Sequence, residues 1–149
     1  MDDAVSNWPQ LQHGEIKLES SPELLWRQVN PQFVNNGQVT SQAFRPNSGD
    51  GNLISTCREE KQDARGAFEF YTTVLGRDSA GTWAVSVEQV VAVGARAFDD
   101  SESETAPQPC PPGHTSIDVR PFGPGRVKAI STVLSRHANV RGRQYPESS

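Results

Sequence analysis

The chain has 149 residues, about one ordinary domain, of which 34% are hydrophobic and 21% charged. Its 14 basic against 18 acidic residues give a net charge of -4. No stretch nears the roughly 18 apolar residues of a membrane span, so an overall basic nucleic-acid binder and a membrane-spanning helix are both excluded.

The charge is unevenly spread. Residues 1–25 and residues 99–105 each carry -4, residues 26–98 balance, and residues 106–149 carry +4. The two acidic stretches are also the poorest in apolar residues. Residues 1–20 therefore read as a flexible arm with Trp8 as its anchor, and residues 99–113 as a flexible acidic and Pro-rich insert. Residues 21–146 read as one domain. Only two cysteines occur, Cys57 and Cys110, and no basic-then-apolar leader opens the chain. That combination points to reduced thiols in a soluble cytoplasmic protein. No CxxC or His pair has zinc-ligand spacing, so neither a metal nor a cofactor is expected.

In chain order, Ser21-Pro22-Glu23 offers a helix start with serine as cap and proline at the first position. Leu25, Arg27 and Val29 alternate with Trp26 and Gln28, however, and the run stops at Asn30-Pro31, which favours a short strand over the helix. Residues 39–44 alternate well enough for a second strand, and residues 46–52 carry the turn residues of a loop. Residues 53–57 are short and β-branched, a third strand. The period then changes: Ala64, Phe68, Tyr71 and Leu75 share one helical face, giving a helix over residues 59–75 ended by Gly76. Residues 83–87 predict a strand, 88–93 a short helix ended by Gly94, and 95–98 an extended piece. After the insert, residues 114–119 form a strand and residues 126–138 a helix. The fold class expected is α+β, a small domain with a mostly antiparallel or mixed sheet and two main helices.

Four groups of side chains carry the candidate chemistry. On the strand starting at His114, Thr115, Ile117 and Val119 face the core and His114, Ser116 and Asp118 share the other face. That face is either an ordinary solvent face or a proton relay. Cys57 precedes the helix, where the dipole and Arg58 would favour a thiolate. With His114 and Asp118 as base and orienter, it gives the nucleophile order of some papain-like hydrolases. A third group pairs Arg27 with the strand end from Ser41 to Arg45, an arginine with hydroxyl residues on nearby strands. At the basic C-terminal end, Arg126 and Lys128 follow Gly123-Pro124-Gly125 at a helix start, a place for one anion or simply a solvated face. Arg126 and Lys128 also make nucleic acid a conceivable but less favoured partner.

Ser55-Thr56-Cys57 together with Arg27 resembles the strand serines and the arginine with which ADP-ribosyltransferase-like folds hold NAD. The resemblance implies Glu59 or Glu60 as catalytic glutamate, although in that family the glutamate lies much further along the chain. The phrases Leu25-Trp26-Arg27-Gln28-Val29-Asn30-Pro31, Ser41-Gln42-Ala43-Phe44-Arg45-Pro46 and His114-Thr115-Ser116-Ile117-Asp118 are similar to those of a set of short stand-alone bacterial proteins. That resemblance implies a bacterial intracellular origin and carries no activity.

Two functions are compatible with these features. The first is a non-enzymatic accessory protein that binds a protein partner through the open sheet face or the acidic segments, with no membrane role. The second is a small enzyme acting on a nucleotide or peptide through His114 and Asp118, assisted by Arg27 or Cys57.

Overall fold

Short runs of β-branched and aromatic residues, closed by turn residues, can satisfy their backbone groups only by pairing with one another. In the computed structural model, which describes residues 8–46 and 51–147, they do so. The strands are β1 (Ile16–Lys17), β2 (Leu24–Gln28), β3 (Val34–Asn35), β4 (Gln38–Val39), β5 (Leu53–Arg58), β6 (Thr82–Ser86), β7 (Arg96–Asp99) and β8 (His114–Asp118). Six of them join in one antiparallel sheet of order β1-β7-β8-β5-β2-β6, while β3 and β4 form a separate hairpin. The hairpin turns through Asn36 and Gly37, both at positive φ, as a two-residue loop between antiparallel strands requires. The helices are α1 (Ala64–Glu69), α2 (Val87–Ala92) and α3 (Pro124–Arg141). The chain is thus the α+β domain with a mostly antiparallel sheet that its sequence predicts. No helix among the described residues is long and apolar enough to cross a membrane.

Strand alternation divides the side chains between two faces. Leu25, Ile54, Val85, Ala97 and Ile117 look toward α2 and α3 and form the main core with Val90, Val127, Ile130, Leu134 and Ala138. On the opposite face, Trp26, Cys57 and Ala84 pack with Ala67 of α1 in a smaller cluster. Ser86 starts α2 with a reciprocal capping box to Gln89.

Three local expectations are corrected. Residues 39–44 are extended only to Val39. Ser41–Phe44 then wind into a 3-10 turn that buries the adjacent residues Ala43 and Phe44 together, which a strand, alternating its faces, cannot do. Hydroxyls of α3 hold that turn: Ser131 Oγ donates to the Phe44 carbonyl and Ser135 Oγ to that of Thr40. The helix expected over 59–75 begins only at Ala64, where the Asp63 carboxylate accepts from Gly66 N at 2.7 Å. It then widens into a π-turn over Phe70–Val74 before Gly76 ends it at φ +67°.

The third correction is that the second sheet face is covered. Every side chain of β8 is buried, so His114, Ser116 and Asp118 do not form a solvent face. The cover is the acidic insert and the N-terminal arm, held down by polar contacts more than by apolar area. Asp100, Ser103 and Ala106 of the insert are buried, and Asp100 N donates to the His114 carbonyl. The arm adds β1 to the sheet edge, buries Leu18, and lays Trp8 edge-on to Phe122 and against the Arg96 guanidinium. Thr105 Oγ1 donates to Glu15 Oε2 at 2.6 Å, linking arm to insert. Gly14, at φ +87°, lets the two backbones meet so closely that a Cβ there would lie 2.8 Å from the Glu102 carbonyl oxygen. Residues 1–7 of the predicted arm and residues 47–50 of the predicted loop lie outside the described residues.

Candidate functional site

The site begins with a fork in the sheet. β2 pairs with β6 at five positions and β5 with β8 at five, but β2 and β5 pair only at Leu25–Arg58 and Trp26–Cys57. Beyond that point the Arg27 guanidinium bridges the gap, donating to the carbonyls of Ala43 (2.8 Å), Ser55 (2.9 Å) and Arg45 (3.4 Å). Over the fork lies a small open cleft of about 120 Å³, room for part of a small ligand with the rest of it left toward solvent. Its lining includes Trp26, Phe70 and Tyr71 and, from the insert, Pro107 and Pro109. The π-turn brings Phe70 and Tyr71 into it, a use to which such wide turns are often put.

His114 closes one side of this cleft, directly across the β5–β8 ladder from Cys57. Its Nδ1 lies 2.6 Å from Asp100 Oδ1, and the second oxygen of Asp100 accepts from Ser116 Oγ at 3.1 Å. A carboxylate is an acceptor only, so Nδ1 carries the proton, and in the neutral ring Nε2 presents a lone pair. Among the described residues Nε2 has no hydrogen-bond partner, yet it is not a sealed unpartnered atom, since only Arg45 Nε and Gln62 Oε1 are. The imidazole is therefore fixed on its inner side and open on the side toward the cleft.

The orienting carboxylate is thus Asp100, and Asp118 does a different job. Asp118 stands four residues along β8, about 13 Å away at the usual strand rise, and is fully buried between Arg96 (2.9 Å) and Arg120 (2.8 Å). Burial alone would raise its pKa. Hydrogen bonds from the Arg120 side chain and backbone and from Arg96 outweigh that, and the carboxyl lies below its ordinary value. The arginines also explain the arm's docking, because Arg96 touches Trp8 and donates to the Pro9 carbonyl.

Cys57 lines the cleft, but burial first, then the nearby Cys110 and Asp100, push its thiol up to about 12. At neutral pH it is a protonated, small apolar group, and it lies outside the reach of the helix dipole because α1 starts only at Ala64, seven residues later. We expect iodoacetamide at pH 8 to alkylate Cys110 in the native protein while leaving Cys57 intact until denaturant is added. Peptide mass spectrometry checks this, and rapid native labelling of Cys57 would contradict it.

Of the other expected binding residues, Arg27 lies under the cleft and Ser116 behind the histidine. Ser41 and Arg45 belong to the 3-10 turn, where Arg45 supplies a carbonyl to Arg27. Arg126 donates to the Val93 carbonyl beside Phe122, and Lys128 is exposed on α3. None of these last four lines the cleft. Glu59 and Glu60 are likewise elsewhere, accepting from Leu24 N and from Arg58.

Asp100, Tyr71 and Arg77 are the site residues that sequence reasoning missed. Asp100 had a signal: consecutive strands usually pair, and pairing residues 95–98 with residues 114–119 as a hairpin puts the acids after the first strand beside the histidine that starts the second. No protein family, curated protein or solved structure matches the chain.

Proposed function

We propose that this chain is a small enzyme that performs acid–base chemistry on a small polar substrate, a nucleotide or short peptide, held over the β2–β5 fork. The observation that carries the reading is the His114–Asp100 pair, buried and short on one side of the ring and open to a cleft on the other. In this mechanism Nε2 takes a proton from a hydroxyl or water in the cleft. The Nδ1–H bond to Asp100 stabilises the imidazolium that forms, and the same proton then passes to the leaving group. Ser116 fixes the second oxygen of Asp100, so the carboxylate cannot swing away. The π-turn and the insert line the cleft and reduce the substrate's contact with water.

A purely protein-binding role has less support. The acidic segments that would order on a partner already lie on the sheet, where they supply Asp100 and part of the cleft lining. Among the described residues the large apolar side chains left exposed, Ile16, Val74, Val91 and Val140, are spread over four different elements or turns.

The test is incubation of the protein with a panel of NAD, nucleoside phosphates and short peptides, with products read by mass spectrometry. Turnover of one class is expected, and His114→Gln should reduce it by about 100-fold or more while circular dichroism stays native. A panel that yields no turnover, or turnover that survives in His114→Gln, would overturn the proposal.

A further inference from the structure

One cation in the cleft is left unused by the rest of the fold. In a protein of net charge -4, the cleft lining among the described residues includes two arginines, Arg27 and Arg77, and no aspartate or glutamate. The two arginines differ. Arg27 belongs to the sheet, where it donates to the three carbonyls of the fork. Arg77 is exposed and its guanidinium lies 5.9 Å from the centre of the Tyr71 ring. Among the described residues it has neither a carboxylate partner nor a side-chain hydrogen bond, in contrast to Arg58, Arg65, Arg96 and Arg120, which are all ion-paired. Stacking on an aromatic face leaves the planar fork of donors free for a bidentate anion.

Beside that cation stand flat surfaces. Trp26, Phe70 and Tyr71 line the same cleft as the prolines of the insert, and aromatic side chains in a cleft offer a planar ring surfaces to stack on. We infer that the cleft binds a ring-bearing anion of nucleoside monophosphate type, with its phosphate on Arg77 and its ring against those aromatic side chains. The inference rests on the cleft being the substrate site and narrows the substrate class proposed for it. It also orients the ligand, because a phosphate on Arg77 leaves the rest of the molecule to extend inward toward His114.

Calorimetric titration of the intact protein at low salt with AMP, adenosine and inorganic phosphate tests this. AMP is expected to bind at least about tenfold more tightly than either fragment, a gap of roughly 1.4 kcal/mol. Arg77→Gln, on an exposed turn where the fold does not depend on it, should bring AMP and adenosine to within about threefold of each other, while His114→Gln should leave the gap in place. Equal binding of AMP and adenosine, phosphate alone binding as well as AMP, a gap that survives in Arg77→Gln, or no measurable binding of any of the three would each overturn the inference. Because the readout is binding without turnover, its failure is separable from failure of the proton-transfer reading, which is judged by the activity of His114→Gln.

Discussion

Asp118→Ala is expected to lower the unfolding free energy by about 3 kcal/mol, a large share of the roughly 5–15 kcal/mol that holds a domain of this size together. The carboxylate is fully buried, and its removal leaves Arg96 and Arg120 facing one another across the space it occupied. The figure lies at the lower end for a broken buried pair because both guanidiniums keep some contact with water. The loss should spread to the arm, since Arg96 also holds Trp8 and the Pro9 carbonyl.

Acid should act through the same groups. Asp118, Glu23 and Asp99 all have folded-state pKa values below their ordinary ones. For Glu23 and Asp99, burial pulls upward but is outweighed, for Glu23 by the Arg58 side chain and Glu60 backbone and for Asp99 by Ser101 and Arg58. A depressed carboxyl stabilises the fold fully above its unfolded pKa and loses that contribution as pH falls through the folded value. Urea midpoints should therefore hold steady from neutrality down to about pH 5 and fall below about pH 4. Asp118→Asn should start lower and fall less steeply. Equal losses in the two proteins, or a wild-type midpoint that rises on acidification, would show that these carboxylates do not carry the dependence.

The fate of Asp118 also shows what a sequence can and cannot say about such a site. Alternation along residues 114–119 does put His114, Ser116 and Asp118 on one face, and the strands read at 25–29, 53–57 and 83–87 lie within one residue of those at Leu24–Gln28, Leu53–Arg58 and Thr82–Ser86. The strand pattern gives the face, however, and not what covers it. The cover comes from the residues poorest in apolar character, whose hydrogen bonds and ion pairs, such as Glu15 to Thr105 and Arg58 to Asp99, leave no trace in hydrophobicity. Composition alone made residues 99–113 a linker, and so hid Asp100. The helix face was legible too, but Tyr71 was placed in its apolar stripe because a 3.6-residue period does not anticipate a π-turn. Residues 39–44 failed for a related reason, since the burial of Ala43 and Phe44 together is decided by α3, about 90 residues further along the chain.

Asp100→Asn is expected to produce the largest functional change of any substitution that keeps the fold. The amide retains the size of the carboxylate and still accepts one hydrogen bond from the Nδ1 side or from Ser116. It no longer offers the negative charge that stabilises an imidazolium, and its NH₂ group competes to donate, which favours the tautomer with the proton on Nε2. The lone pair then points away from the cleft. Turnover on the substrate identified for the wild type should fall by about 10³ to 10⁴, with KM changed far less, as when a triad aspartate is replaced. Asp100 does this through His114 and does not itself reach the substrate, which makes it a positioning residue. Its signature is therefore the tautomer of the ring, read from the ¹⁵N shifts of the imidazole, with the neutral ring changing from the Nδ1–H to the Nε2–H form. An Asp100→Asn protein that turns over at the wild-type rate would remove Asp100 from the mechanism, and a protein that loses rate without a tautomer change would assign it to packing alone.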